Sequence, residues 1–362
     1  MISVLVVDDS TVIRRLVTDV LSSDPGIRVI GTAPNGKIAL EKIQRLQPDL
    51  VTLDVEMPVL DGVSTVRELR KTNPKLPVIM FSTLTSVGAD ATLAALAAGA
   101  SDYVTKPANV GSFAESLASV REQLIPRIHA LTARPLPRMR PAKPAPRRGA
   151  PTRPEASTEA IQAVVIAAST GGPEALRTVL TCLPGSLPVP VLVVQHMPPV
   201  FTDMLAKRID VTSQLRVAEA KNNEPVLPGR VYIAPGDHHL EVVRVGGQLR
   251  TKLHDGPKEN HCRPAADVLF RSAAKIFGGA VLGVVLTGMG QDGKRGSEAL
   301  AAGGARVIVQ DEQTSVVWGM PGVVADAGLA DAVLPIGEMA NNITALVTRR
   351  GAAPAAEVST WN

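Results

Sequence analysis

Eight side chains able to hold cations, accept phosphoryl groups or attack carbonyls stand where short apolar runs break off. Asp8 and Asp9 end the run over residues 2–7, and Asp54 ends the one over 49–53. Ser82 and Lys106 follow two more. Three carboxylates gathered on one edge repel one another and need a hard cation such as Mg2+. A lysine and a hydroxyl nearby would then hold a transferred phosphoryl group. An aspartate at a strand end also serves as a helix cap or turn residue, and that plainer reading applies to each one taken singly.

A second set lies further along. Ser169 sits in the turn Ser169-Thr170-Gly171-Gly172-Pro173, His196 precedes Met197-Pro198-Pro199, and Asp292 lies in the glycine-rich stretch 287–293. A serine at a tight strand-to-helix turn exposes its hydroxyl, a rim histidine can act as its base, and a carboxylate can orient the imidazole. The order Ser, His, Asp differs from that of the α/β-hydrolases, and no G-x-S-x-G elbow is present, but such triads are defined by geometry rather than order. Ser169 or Thr170 capping the following helix is the competing reading.

The elements that must position these residues follow from periodicity. Strands are expected over 2–7, 27–30, 49–53, 77–81 and 101–105, with helices around 36–46, 62–71, 89–98 and 112–125 and one after Ser10. Alternating strands and helices make a doubly wound parallel sheet, with functional groups at the strands' carboxyl ends. Beyond residue 160 the pattern resumes, with strands at 161–168, 189–195, 280–286 and 306–309, a hairpin near 240–245 and a helix over 264–277.

Gly288, Gly290 and Gly293 also fit G-x-G-x-x-G, with Asp311 downstream, which is the outline of a dinucleotide-binding turn. That reading leaves Ser169 and His196 without a role. His238 and His239 read as turn or surface residues. His261 and Arg263 precede a helix, and Arg263 is placed either to steer an acidic substrate or to solvate that helix. No H-E-x-x-H spacing indicates a metal hydrolase.

Composition narrows the classes. The chain has 362 residues and a net charge of +4, yet seven of its 38 basic residues lie with seven prolines between Arg134 and Pro154, leaving 31 basic against 34 acidic residues elsewhere. The positive charge thus belongs to an extended linker, which removes the argument for nucleic acid. Aromatic residues, at 2%, supply few base-stacking platforms. Two cysteines, Cys182 and Cys262, are too few for a disulfide framework or a Cys-based zinc site. No apolar run is long enough for a bilayer span and no leader is evident, so a cytoplasmic protein without membrane insertion is expected.

VVDDS, LDVEMPVLDG, the hydroxyl at Ser82 and YVTKP together resemble the response-regulator receiver domain. The resemblance implies Asp54 as phosphoacceptor, Asp8, Asp9 and Asp54 as the Mg2+ site, Ser82 and Tyr103 as switch residues, Lys106 as a phosphate contact, and a cis bond before Pro107. ASTGGPEAL, VVQHMP, VYIAPGDHHLEV, NHCRPAADVLF and LTGMGQDG are similar to the catalytic domain of chemotaxis protein-glutamate methylesterases. That resemblance implies a phosphorylation-gated serine esterase acting on methyl-accepting chemotaxis receptors and served by a chemotaxis histidine kinase. It also allows glutamine deamidation. Ser169 would be nucleophile, His196 base and acid, and Asp292 the orienting carboxylate, with Thr170 and Met289 lining a site that needs no cofactor. The expected architecture is α/β, with two mainly parallel doubly wound domains: a flavodoxin-like receiver (1–126), a Pro/Arg-rich linker (127–159), a Rossmann-like methylesterase domain (160–348) and a tail (349–362). A binding adaptor with a dead second domain is the alternative of a different class, and measured ester hydrolysis separates the two.

Overall fold

The computed structural model describes residues 1–107, 113–133 and 157–349. The linker segment 134–156 and the tail beyond Arg349 lie outside the described residues.

The first unit alternates strand and helix throughout: β1 (Ile2–Val7), α1 (Thr11–Ser22), β2 (Ile27–Ala33), α2 (Gly36–Leu46), β3 (Leu50–Asp54), α3 (Gly62–Thr72), β4 (Val78–Ser82), α4 (Ser86–Ala97), β5 (Asp102–Thr105) and α5 (Phe113–Thr132). All pairings are parallel, in the order β2-β1-β3-β4-β5. Every residue of β3 and β4 is buried, as continuous apolar strands covered on both faces must be. The order reverses between β1 and β3, so Asp8, Asp9 and Asp54 meet at that switch point.

Two helix boundaries differ from expectation. α4 starts at Ser86 rather than near 89, because the Thr85 hydroxyl accepts the Gly88 N–H at 3.0 Å and caps it. α5 continues through Pro126 to Thr132. Burial of Val120, Leu124 and Ile128 on the sheet outweighs the loss of one helical hydrogen bond at the proline.

The second unit contains β6 (Ala163–Ala168), α6 (Gly172–Cys182), β7 (Val191–Gln195), α7 (Phe201–Thr212), β8 (Arg216–Glu219), β9 (Arg230–Ile233), β10 (His239–Val245), β11 (Gln248–His254), α8 (Ala266–Phe277), β12 (Val281–Val285), α9 (Lys294–Ala302), β13 (Arg306–Gln310), α10 (Met320–Asp326), β14 (Ala332–Leu334) and α11 (Ile336–Thr348). Seven strands form a parallel sheet in the order β14-β13-β12-β6-β7-β9-β8, and β10 and β11 make a separate antiparallel hairpin. β6, the first strand, lies between β12 and β7, so the turns after these three strands share the rim at the switch point.

Two expectations are corrected here. His239 is a buried residue, not a surface one: its Nε2 lies 3.0 Å from the Pro257 carbonyl and its Nδ1 accepts the Ala265 N–H. The packing of the hairpin on α8 encloses it. The cis proline bond among the described residues is Arg263–Pro264, not Lys106–Pro107.

The two units share an interface. Leu93 and Leu96 of α4 belong to one apolar core with Leu205 and Ile209 of α7. Arg208 of α7 also reaches the Asp90 carboxylate at 2.9 Å. That ion pair is half-exposed and contributes about 0–1 kcal/mol, so burial carries this contact.

Candidate active site

At the first rim, Asp8 and Asp54 are buried and Asp9 is exposed, and their carboxylate oxygens lie within 4.8 Å of one another. Lys106 Nζ stands 2.8 Å from Asp54 Oδ1 and 3.0 Å from Asp8 Oδ2. Burial, reinforced by repulsion from Asp8 and only partly offset by Lys106, pushes the Asp54 carboxyl up to about 6. Burial works against the Lys106 ammonium, but its bonds to Asp54 and Asp8 outweigh that and hold its pKa above the usual value. This oxygen donor set, with excess negative charge and one exposed member, fits a hard divalent cation such as Mg2+. A cavity of about 210 Å³ adjoins it, lined by Asp9, Asp54, Ser82 and Lys106 among others. Ser82 is buried and donates to the Gly88 carbonyl at 3.1 Å, at the start of α4.

At the second rim, Ala168 and Gln195 are paired on β6 and β7, so Ser169 and His196 are the next residues on adjacent strands. The His196 N–H continues the ladder to the Ala168 carbonyl at 3.2 Å. The turn after Ser169 requires glycine: Gly171 has φ +74°, and a Cβ there would lie 2.5 Å from Val316. α6 has no side-chain cap, so neither Ser169 nor Thr170 serves as one, and the positive end of the helix faces the turn. No hydrogen bond of the Ser169 hydroxyl occurs among the described residues. Gly288 packs so closely on Ser169 that a Cβ there would lie 2.8 Å from the Ser169 Cβ, and the half-buried Met289 is the next residue of that turn.

Asp292 is the most heavily hydrogen-bonded group of this rim. Its Oδ2 accepts from the Ala266 N–H at 2.6 Å and faces His196 Nε2 at 2.7 Å. Its Oδ1 accepts from the Asp267 N–H, the Gly293 N–H and Asn260 Nδ2, each at 3.0 Å. The carboxylate therefore sits on the first amides of α8, where the helix dipole favours negative charge. Burial opposes its ionisation, but the His196 and backbone donors prevail and hold its pKa below the usual carboxylate range. Burial also disfavours the imidazolium of His196, yet its bonds to Asp292 and Cys262 push that group up to about 10. With Nε2 engaged by Asp292, Nδ1 is the nitrogen left to exchange protons, and Cys262 Sγ lies 3.5 Å from it.

The glycine stretch after β12 thus delivers Asp292 to His196, and Asp311 only closes a local turn through the Thr314 N–H at 3.0 Å. This leaves the dinucleotide reading without its acidic contact. Arg263 is held by Asp237 and by the carbonyls of Asp255 and Gly256, whereas His261 and His238 are exposed.

Several contributors act through contacts that the sequence motifs do not reveal. Thr170 is buried, and its hydroxyl donates across the interface to Asp102 Oδ2 at 2.7 Å. Arg127 of α5 holds the same carboxylate oxygen at 3.1 Å. Tyr103, next to Asp102 on β5, stacks on Phe201 with ring centroids 5.0 Å apart and planes 8° apart. A cavity of about 360 Å³ separates the units here, lined by Tyr103, Thr105 and Arg127 on one side and His196 and Cys262 on the other. Asn260 is the remaining member, because its amide donates to the buried Asp267 at 2.9 Å as well as to Asp292. Replacing Asn260 with alanine is expected to cost about 1–3 kcal/mol by leaving a buried carboxylate under-satisfied. Thermal melting should show a lowered Tm, and Asn260→Asp, which adds a third carboxylate, should lower it further.

Residues 164–343 match the family model for CheB methylesterase, and residues 4–118 match that for the response regulator receiver domain. The chain is 54% identical over 366 residues to a protein-glutamate methylesterase/protein-glutamine glutaminase of Nocardioides sp., with 96% of both chains covered. A protein of the same description from Trichodesmium erythraeum is 48% identical, over 94% of this chain and 97% of its own. In three dimensions, the crystal structure of the Thermotoga maritima CheB methylesterase catalytic domain aligns with a TM-score of 0.51 at 45% identity, covering 52% of this chain and 99% of that one. With a parallel five-stranded unit carrying Asp54 joined to a parallel seven-stranded unit carrying Ser169, His196 and Asp292, this chain belongs to the CheB methylesterase family and bears a response regulator receiver domain.

Proposed function

We propose that the chain is a phosphorylation-activated serine esterase that hydrolyses glutamate γ-methyl esters on methyl-accepting chemotaxis receptors, releasing methanol. The observation that carries this reading is the His196–Asp292 pair, 2.7 Å apart on the rim where Ser169 stands. Ser169 Oγ attacks the ester carbonyl carbon while His196 Nδ1 takes its proton. The proton then passes to the departing methoxide, which leaves as methanol. Water, deprotonated by the same nitrogen, attacks the acyl-enzyme, and Ser169 recovers its proton as the glutamate carboxylate departs. The Met289 amide and the first turn of α6 flank the developing oxyanion. Receptor glutamines follow the same steps with ammonia as leaving group, and no step calls for a metal or cofactor at this rim.

In this reading the domains divide as 1–126, 127–159, 160–348 and 349–362, and the receiver covers the catalytic rim until a chemotaxis histidine kinase phosphorylates Asp54. Asp8, Asp9 and Asp54 would hold Mg2+, which supplies charge neutralisation when bound. Lys106 and Ser82 contact the phosphoryl group, and the displaced Ser82 draws on the β4–α4 turn. Tyr103 is the element that answers, because it sits beside Asp102 and stacks on Phe201 across the interface. The Asp102–Thr170 bond is worth about 1.5–3 kcal/mol as a bond to a charged group. The ring pair adds about 0.5–1.5 kcal/mol beyond its burial, and these contacts join the apolar α4–α7 packing in setting the energy that phosphorylation must offset to open the interface. No helix among the described residues is long and apolar enough to cross a membrane, and the reading is of a cytoplasmic enzyme meeting the receptors' cytoplasmic helices without inserting and without nucleic acid. Methanol release from membranes carrying methylated receptors tests the reaction: methanol in proportion to enzyme supports it, and none, even with a phosphodonor present, contradicts it.

A further inference from the structure

One buried polar side chain at the catalytic rim has no part in the proposed chemistry. Gln195 closes β7, whose other residues are Val191, Leu192, Val193 and Val194, and only 1% of it is exposed. An amide at the end of so apolar a strand costs stability unless its groups are bonded. Its Nε2 donates to the Ser169 carbonyl at 3.0 Å and to the His196 carbonyl at 3.3 Å. One amide thus ties the backbone of the candidate nucleophile to that of the candidate base. Its Oε1 has no partner among the described residues and lies against Gly172, where a Cβ would come within 1.9 Å of it. Gln310 ends β13 in the same way but is bonded at both ends: its Oε1 accepts the Thr287 N–H at 2.8 Å, and its Nε2 donates to the Thr314 carbonyl at 2.9 Å. Gln195 instead leaves a buried acceptor unmet while both donors stay on the Ser169 and His196 carbonyls.

In a planar trans peptide the carbonyl and the next N–H point in opposite directions, so fixing the Ser169 carbonyl also aims the Thr170 N–H. The Ser169 carbonyl accepts the Gly172 N–H at 2.7 Å as well, and two donors leave that peptide little freedom to turn. Thr170 is buried, its carbonyl accepts from Thr287 Oγ1 at 3.0 Å and its hydroxyl donates to Asp102 Oδ2 at 2.7 Å. Its N–H alone has no partner among the described residues. A buried donor left free beside a nucleophile is placed to receive a developing oxyanion.

We propose that Gln195 is a positioning residue for ester hydrolysis, whose amide holds the Ser169–Thr170 and His196–Met197 peptides in one fixed register. It touches neither the substrate nor the reacting atoms. It acts by keeping Ser169 Oγ within reach of His196 and the Thr170 N–H turned toward the ester oxygen. This rests on Ser169 being the nucleophile of the reaction.

The test compares full-length wild type with Gln195→Met, which keeps the length of the side chain but has neither the two donors nor the unmet acceptor. Its Tm should not fall, because a buried carbonyl without a partner is removed together with the bonds. Its kcat for methanol release should drop by roughly 10²-fold with KM unchanged, the size of loss that a small misplacement of reacting groups produces. Its pH profile should stay where it is in wild type, since Asp292 still governs the imidazole. Gln195→Glu supplies a second reading: the carboxylate donates nothing, whereas the protonated acid donates one hydrogen bond. Its rate relative to Gln195→Met at the same pH should therefore rise as the pH is lowered. Independently of the receptor substrate, a sulfonyl fluoride should modify Ser169 in wild type, read by mass, and more slowly in Gln195→Met. A kcat and a labelling rate within about threefold of wild type in Gln195→Met overturn the proposal, as does a loss accompanied by a lowered Tm or a shifted pH profile. Wild type that is labelled at Ser169 and releases methanol keeps the esterase reading standing in that event. Wild type that does neither overturns both.

Discussion

Ser169→Ala should lower ester hydrolysis by about four to six orders of magnitude while leaving the fold intact, the size of loss expected when a triad nucleophile is removed. The substitution deletes one oxygen that makes no hydrogen bond among the described residues, so no buried group loses a partner. Stability should stay within about 0.5 kcal/mol of wild type, as for a substitution that disturbs no packing. The backbone bonds that shape the turn, from Ser169 N–H to the Thr287 carbonyl and from Gly172 N–H to the Ser169 carbonyl, are indifferent to the side chain. The measurement is methanol release together with a thermal melt. Substantial residual hydrolysis by a folded variant removes Ser169 from the reaction.

Asp292→Asn should reduce the rate by about 10⁴-fold, for a different physical reason. The carboxylate accepts five donors, and an amide can present only one oxygen to them. If the new NH2 points toward His196 it also meets the Ala266 N–H, and it drives the imidazole proton onto Nδ1, the nitrogen needed as base. If it points the other way, it faces the three donors on Oδ1. Either orientation leaves buried donors unpaired, at about 1–3 kcal/mol, so this variant should also melt earlier. The pH dependence separates mechanism from simple damage. A general base works when neutral, so with His196 held up to about 10 the wild-type rate should climb with pH into the alkaline range. Asparagine removes the charge that stabilises the imidazolium. The climb should then level off at lower pH in the surviving activity, and an unshifted profile would deny Asp292 this role.

Much of the fold was legible because α/β topology converts a one-dimensional feature, a residue just past a buried strand, into a shared edge. Asp8, Asp9 and Asp54 meet at the β1/β3 reversal, and the Ala168–Gln195 pairing sets Ser169 beside His196. What was not legible depends on contacts that no local pattern encodes. Asp102 and Thr170 are far apart in sequence and meet only because one unit docks on the other. His239 reads as a turn residue until its hairpin packs on α8 and encloses it. Asn260 and Cys262 reach Asp292 and His196 from an irregular turn whose left-handed residues are neither glycines nor part of any period. The helix boundaries failed for smaller reasons: a threonine cap at Thr85, and a proline tolerated in α5 because Leu124 and Ile128 on either side of it are fully buried.

The proposed function requires that the first rim control access to the second. Thr170, in the turn that carries Ser169, is bonded to the receiver's Asp102, and His196 faces a cavity whose other wall is Tyr103, Thr105 and Arg127. The direct measurement is the rate of methanol release from methylated receptor membranes with and without a small-molecule phosphodonor, in wild type and in Asp54→Asn. The account predicts a rise on adding phosphodonor in wild type and no response in Asp54→Asn, which keeps the low basal rate. Equal rates with and without phosphodonor in wild type, or a full response in Asp54→Asn, would contradict it.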